Sequence, residues 1–263
     1  MNGQAPLITK LDLIVPRGMQ NRVAIDMVVG QIRQTLLQKS REHQAELKQL
    51  GKQAEDEPLS SNIYRLPLTN QIRGLGTILR NPSTEGVDFV FYFDRLSALL
   101  FEKALENILF TQQDVKTPGG LSYSGLKPVS DVSAVVMLRG GSCLETGLRR
   151  VLPDCKCGRM LIQSSYRTGE PELHFLSLSK DIGKHDLVLV LDSQMSSGGA
   201  ALMAVKVLVD HGVDEEKIVF VTVLAGSMGV GRLTKVFPGI KVIAVEIGED
   251  GVERWIEKRY FGC

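Results

Sequence analysis

The stretch Leu187-Val188-Leu189-Val190-Leu191-Asp192-Ser193-Gln194-Met195-Ser196-Ser197-Gly198-Gly199-Ala200-Ala201 is the most informative part of this chain. Its five consecutive apolar residues, bounded by polar ones, read as a strand buried on both faces, the pattern of a parallel sheet. An acid closes the strand. A loop of small hydroxyls and two glycines follows, and then Ala201-Leu202-Met203-Ala204-Val205-Lys206-Val207-Leu208-Val209, apolar-rich and of helical length. A strand that passes through a glycine loop into a helix gathers unpaired backbone N–H groups at the positive end of the helix dipole, where a phosphate is held. Ser196 and Ser197 add hydroxyl donors, and Gly198 and Gly199 let the main chain come close to a ligand. Asp192 would repel an anion; beside a phosphate it suits ribose hydroxyls or a metal. A plain strand-to-helix turn without a ligand has the same local pattern.

Outward from that stretch, strand–helix order repeats through 132–138, 142–151, 159–163, 187–191, 200–210, 218–224, 229–236 and 241–246. Such alternation argues an α/β fold, a mostly parallel sheet with helices on both faces. Ligands of these sheets bind at the carboxyl ends of the strands. Arg139 and Asp192 each end an apolar strand, so the pattern places them in one shared site. Upstream, Arg22 to Leu50 reads as a single amphipathic, then highly charged helix, with Val23, Ile25, Val28, Val29, Ile32, Leu36 and Leu37 near helical spacing. Gly51 to Ser61 reads as a polar linker, and Asp94 to Leu109 as a further helix.

Composition narrows the classes. The 263 residues are 43% hydrophobic and 23% charged with a formal net charge of +1, which fits one medium α/β domain and an appendage. Near-neutral charge without a basic, aromatic-laced stripe gives no support for nucleic-acid binding. No apolar run approaches the roughly 20 residues that span a membrane. Met1–Pro6 begins no secretory signal, and Asn2 stands where myristoylation needs glycine. Cys143, Cys155, Cys157 and Cys263 lack zinc spacing, and His43, His174, His185 and His211 are scattered. They read as the reduced thiols and ordinary histidines of a cytoplasmic protein. His211 before Gly212 reads as a helix end.

The ATP pattern G-x-x-x-x-G-K-[ST] is absent: Gly226-Ser227-Met228-Gly229-Val230-Gly231-Arg232-Leu233 puts Arg and Leu at its last two positions. The dinucleotide pattern is also missing after Leu191. What remains resembles the loop by which phosphoribosyltransferases bind the 5-phosphate and ribose of phosphoribosyl pyrophosphate. In the uracil-specific family it reads D-P-M-L-[AS]-T-G-G-S; Asp192, Ser197, Gly198 and Gly199 match, and Ala200 replaces the last serine. Val132–Leu138 followed by Arg139-Gly140-Gly141 is similar to the family's strand and L-R-[AS]-G, whose arginine meets pyrophosphate. Asn70-Gln71-Ile72-Arg73, Thr77-Ile78-Leu79-Arg80, Thr117-Pro118-Gly119-Gly120, Gly158–Gln163, Thr168–Pro171, Lys180-Asp181-Ile182 and Arg259-Tyr260-Phe261-Gly262 fall in family order, so the resemblance covers about residues 65 to 262. Leu13–Gly18 with Val23–Val28 is similar to the end of uridine–cytidine kinases. The run Thr168-Gly169-Glu170-Pro171-Glu172-Leu173-His174 is similar to the transferase-like half of uridine kinase-like proteins. The chain therefore resembles the C-terminal half of such a fusion, with almost all of the kinase absent: residues 1–58 an extension and 59–263 the transferase-like domain.

The resemblance implies a type I phosphoribosyltransferase-like fold and pyrimidine salvage, making UMP and pyrophosphate from uracil and phosphoribosyl pyrophosphate. It implies Arg139 and Asp192 as catalytic residues, with Arg167 as the stand-in for a displaced arginine, and Asp192, Ser197, Gly198, Gly199 and Ala200 as binders of the sugar phosphate, beside the hydroxyl of Ser196. It also implies Mg2+ carried by the pyrophosphate, a homo-oligomer, and a uridine kinase partner. Two departures count against turnover. The family's second pyrophosphate arginine is replaced by Ser164, with Arg167 three residues on, and the base loop P-G-L-G-D is missing between Val245 and Arg259. A site that reads a base by hydrogen bonds loses selectivity when those groups go. Trp255 either packs on the core or stacks on a base. The alternative is a non-catalytic homologue that binds a phosphoribosyl group or nucleotide as a sensor or as a partner of a uridine kinase.

Overall fold

Leu187–Leu191, the strand expected first, lies at the centre of the sheet, and all five residues are buried. Side chains alternate across a strand. Accordingly Val188 and Val190 join a core on one face, with Met203, Ala204, Val207 and Phe220, while Leu187, Leu189 and Leu191 join a second on the other, with Phe89, Phe93, Leu96 and Leu100. Burial on both faces is why the strand carries no polar residue; each such side chain contributes about 1.5–3 kcal/mol. The computed structural model describes residues 22–53, 61–165, 170–248 and 253–262. The kinase-like run at Leu13–Gly18 lies outside them, as do Arg167, Thr168-Gly169 and Asp250-Gly251.

In chain order the elements are α1 (Arg22–Gln53), β1 (Ile63–Arg65), α2 (Asn70–Arg80), α3 (Gly86–Leu105), β2 (Phe110–Lys116), β3 (Ser122–Pro128), β4 (Val132–Leu138), α4 (Glu145–Val151), β5 (Lys156–Ser164), β6 (Pro171–Ser177), β7 (Leu187–Leu191), β8 (Gln194–Met195), α5 (Gly199–Asp210), β9 (Ile218–Gly226), α6 (Ser227–Val236), β10 (Lys241–Gly248) and α7 (Ile256–Phe261). The main sheet runs β1-β10-β9-β7-β4-β5-β6, with short β8 beside β9. Every neighbouring pair is parallel except β5 with β6. From β4 the chain moves outward through β5 and β6, then returns to the other side of β4 to lay down β7 and, beyond it, β9 and β10. The strand order reverses at the β4/β7 seam, where open α/β sheets form their ligand crevice. Arg139 follows β4 and Asp192 follows β7, so the seam brings together the two residues that the sequence placed at strand ends.

The α/β alternation and the parallel centre are as expected; several bounds are not. The helix expected over Asp94 to Leu109 begins at Gly86 and ends at Leu105, because Phe89 and Phe93 continue its buried face toward the N-terminus. The next residues leave it for β2, paired antiparallel with β3 as a separate two-stranded ribbon whose turn is the Thr117–Gly120 run. Gly51 to Gln53, expected in a linker, continue α1. Edge strand β6 went unanticipated, since its alternation is broken by Pro171, Glu172 and His174. As expected, α5 stops at His211, and Gly212 follows at φ 82°. Helix α1 lies against β6, α5 and α6, with Leu36 packed on the core while Val23, Met27 and Ile32 stay exposed. No helix among the described residues is long and apolar enough to cross a membrane.

Candidate functional site

The site forms where two loops leave the seam. After β7, Asp192 is held by its backbone N–H donating to the Val221 carbonyl at 3.2 Å. Short β8 then returns to the sheet, and Ser196–Gly198 turn the chain into α5. Gly198 has φ 81°, the left-handed region that a residue with a Cβ rarely adopts, and a Cβ there would stand 2.8 Å from the Gly229 carbonyl oxygen. The loop is thus pressed onto the start of α6 and opens α5 with free amides. Ser196 is half-buried, Ser197 exposed, and Ala200 half-buried at the first turn of the helix. Together with the glycines they can hold an anion.

After β4 the Leu138–Arg139 peptide is cis, and Gly140–Leu144 form a 3₁₀ turn leading into α4. Arg139 is exposed and, among the described residues, makes no side-chain hydrogen bond or ion pair. Gly140 sits directly against the acid: a Cβ on it would collide with Asp192 Oδ1 and Arg254 Nη2. Glu145 forks with Arg159 at 3.0 and 2.9 Å, and Arg149 donates to the carbonyls of Pro153 and Cys155, so these charged residues brace α4 rather than the crevice.

Asp192 is not free. Its carboxylate, in a residue only 4% exposed, accepts a forked pair of hydrogen bonds from Arg254, at 3.2 Å to Oδ2 and 2.6 Å to Oδ1. Burial pushes the carboxyl above the usual range, and the Arg254 guanidinium and the Gln194 N–H offset only part of that rise. Arg254 is held more firmly protonated by Asp192 in spite of its own burial, and Glu257 lies 3.6 Å away. The neighbouring backbone is clasped by Gln194, whose Nε2 donates to the Glu253 carbonyl at 3.0 Å and whose Oε1 accepts from the Trp255 N–H at 3.1 Å.

The C-terminal Arg259-Tyr260-Phe261-Gly262 run anchors this arrangement. Arg259 donates to the carbonyls of Pro82 at 3.2 Å and Thr84 at 2.7 Å and stacks over the Phe89 ring. Tyr260 donates to the buried Asp94 carboxylate at 2.9 Å; burial pushes the phenol up to about 12. Trp255 meets Phe89 edge-on at 6.1 Å and also borders a 180 Å³ cavity with Gln194, Met195, Ser196, Gly226 and Gly248. It therefore serves the core and faces the crevice at once. Arg80 lines the same cavity and pairs with Glu246 at 2.6 Å.

A family model described as uracil phosphoribosyltransferase matches residues 66–253. The chain belongs to the uracil phosphoribosyltransferase family. It is 38% identical to the uracil phosphoribosyltransferase of Dictyostelium discoideum over 186 residues, 71% of this chain and 86% of that protein. It is also 35% identical to the uridine kinase of Saccharomyces cerevisiae over 272 residues, 98% of this chain and 54% of that protein, so it spans about half the length of the curated uridine kinases it matches. Among solved structures, the AQ2163 protein from Aquifex aeolicus superposes with a TM-score of 0.64 at 21% identity, covering 76% of this chain and 97% of that one, a likeness of fold. The fold is of the type I phosphoribosyltransferase class.

Sequence reading singled out Asp192 and Arg139 but missed Arg254, Gln194 and Arg80. The available signal for Arg254 was an arginine beside the single tryptophan, in a segment that departs from the family pattern. Since Gly140 is packed on the Asp192–Arg254 pair, Gly140→Ala should cost about 2 kcal/mol and lower Tm by roughly 5 °C in a calorimetric scan. An unchanged Tm would mean that the pair is not held against this turn.

Proposed function

We propose that this chain is a pyrimidine-salvage domain that binds the phosphoribosyl group of a phosphoribosyl pyrophosphate- or UMP-like ligand and transfers uracil poorly or not at all. One observation supports this above the others: Gly140, the residue after Arg139, packs directly on Asp192, which is already paired with Arg254, while the Ser196–Ala200 loop opens α5 from the same end of β7. The loop amides suit a phosphate. Arg139 suits pyrophosphate oxygens, which a guanidinium can grip with two bonds.

Turnover asks for more. Transfer breaks the bond from C1 of the ribose to pyrophosphate and forms one to N1 of uracil, so cationic groups on the leaving pyrophosphate and a positioned base lower the barrier. Ser164 stands in an arginine's place, Arg167 is the next cation along the chain, and the base loop is absent. Magnesium, expected with the pyrophosphate, would be held chiefly by the pyrophosphate itself: both Asp192 oxygens face Arg254, and among the described residues no three His, Cys, Asp or Glu side chains gather. The role assigned to the loop and Arg139 therefore rests on no protein-bound metal. The retained loop and the match to a uracil phosphoribosyltransferase favour the second reading, an active transferase.

Self-association and a uridine kinase partner, in the same chain or apart from it, complete the proposal. The β2–β3 ribbon supports the first, since Phe110, Val115, Leu121, Tyr123 and Leu126 are all exposed on it; light scattering should return a mass of at least two chains. The extent of the match to uridine kinases supports the second.

With labelled uracil, kcat/KM should fall at least a hundredfold below a complete family enzyme, about 3 kcal/mol of barrier lowering. A value within tenfold would restore the active transferase. By calorimetric titration, Gly198→Val should weaken ribose 5-phosphate binding at least tenfold, because the branched residue cannot hold the left-handed turn that presents the amides. Equal affinities would remove the phosphate role from the loop.

A further inference from the structure

We propose that Arg254 takes the place of a ligand's vicinal diol at Asp192, so that this site accepts phosphate monoesters with or without sugar hydroxyls. The inference rests on the reading of Ser196–Gly199 as a phosphate loop and specifies which ligands that loop takes.

An ionised Asp has two oxygens with room for about four hydrogen bonds. Arg254 supplies two at 3.2 and 2.6 Å, and the Gln194 N–H supplies another. The remaining approach is closed by the Gly140 backbone, which lies so near that a single added carbon would strike Asp192 Oδ1. The side chain is almost fully buried. A diol would have to replace the guanidinium, trading a charge-assisted fork for two neutral hydroxyls, and the charge-assisted bonds are the stronger.

Arg254 is also not free to leave. Gln194 clasps the backbone on either side of it, and Glu257 stands 3.6 Å from Nη2. The helix that follows is fixed by Arg259 on the α2–α3 turn and by Tyr260 on Asp94. The backbone that carries the guanidinium is therefore tied on both sides, while the side chain, 37% exposed, is kept at Asp192 by the charge-assisted fork itself. The pairing has a second effect: it neutralises the acid next to the phosphate loop, removing the repulsion that a bare Asp192 would exert on an anion. Affinity for a monoester then resides in the loop amides, and selection for the sugar is lost.

The experiment compares two probes by calorimetric titration on the full chain. Ribose 5-phosphate carries the diol; tetrahydrofurfuryl phosphate keeps the ring and the phosphate without any hydroxyl. The expected result is dissociation constants within threefold of one another. Ribose 5-phosphate binding more than tenfold tighter would overturn the inference while leaving the phosphate loop intact. Binding of neither probe would overturn the phosphate-loop reading and this inference with it. Arg254→Met frees the carboxylate and should create a preference of at least tenfold for ribose 5-phosphate. Arg254→Lys keeps the counter-charge, and so the fold, but cannot fork; it should give a preference of several-fold. Two folded variants that still treat the probes alike would count against Arg254 as the residue that sets ligand choice.

Discussion

The buried carboxylate of Asp192 is the constraint on which this site depends. An ionised acid enclosed by protein costs several kcal/mol unless a partner neutralises it, and here the partner comes from 62 positions later in the chain. The arrangement around it follows from that need. Residue 140 must lack a side chain to let the pair sit against the β4 turn. The C-terminal segment must cross back over Gln194 to deliver the guanidinium. The last helix must be pinned, and Arg259 and Tyr260 pin it to α3 and the turn before it.

At the seam between β4 and β7 a glycine turn opens α5, an exposed arginine stands on the turn after β4, and a cavity bordered by Ser196 and Trp255 lies beside the first of these. Asp192 is paired with Arg254, and the cavity is bordered by the Trp255 ring and by Arg80, itself paired with Glu246.

The C-terminal Arg-Tyr-Phe-Gly run shows how a motif that looks functional can act through position. Its arginine and tyrosine point into the protein, Arg259 to the carbonyls of the α2–α3 turn and Tyr260 to the buried Asp94. Neither lines the cavity beside the phosphate loop, yet both fix where Arg254 and Trp255 stand.

The sheet was legible in local composition. Runs such as Leu187–Leu191 and Val132–Leu138 are rich in apolar residues because both of their faces are covered, and that can be read one residue at a time. The glycine turn between β7 and α5 was legible too, since such a turn is a local pattern, and so was the placement of Arg139 and Asp192 at strand ends. Edge strand β6 and the β2–β3 ribbon were not: each has a face or an edge in water, and mixed residues satisfy it. What Asp192 touches emerges from the folded chain alone. An ion pair between positions 192 and 254 leaves no periodicity or spacing to read, because it exists only once the chain has folded back across the seam and the last helix is locked in place.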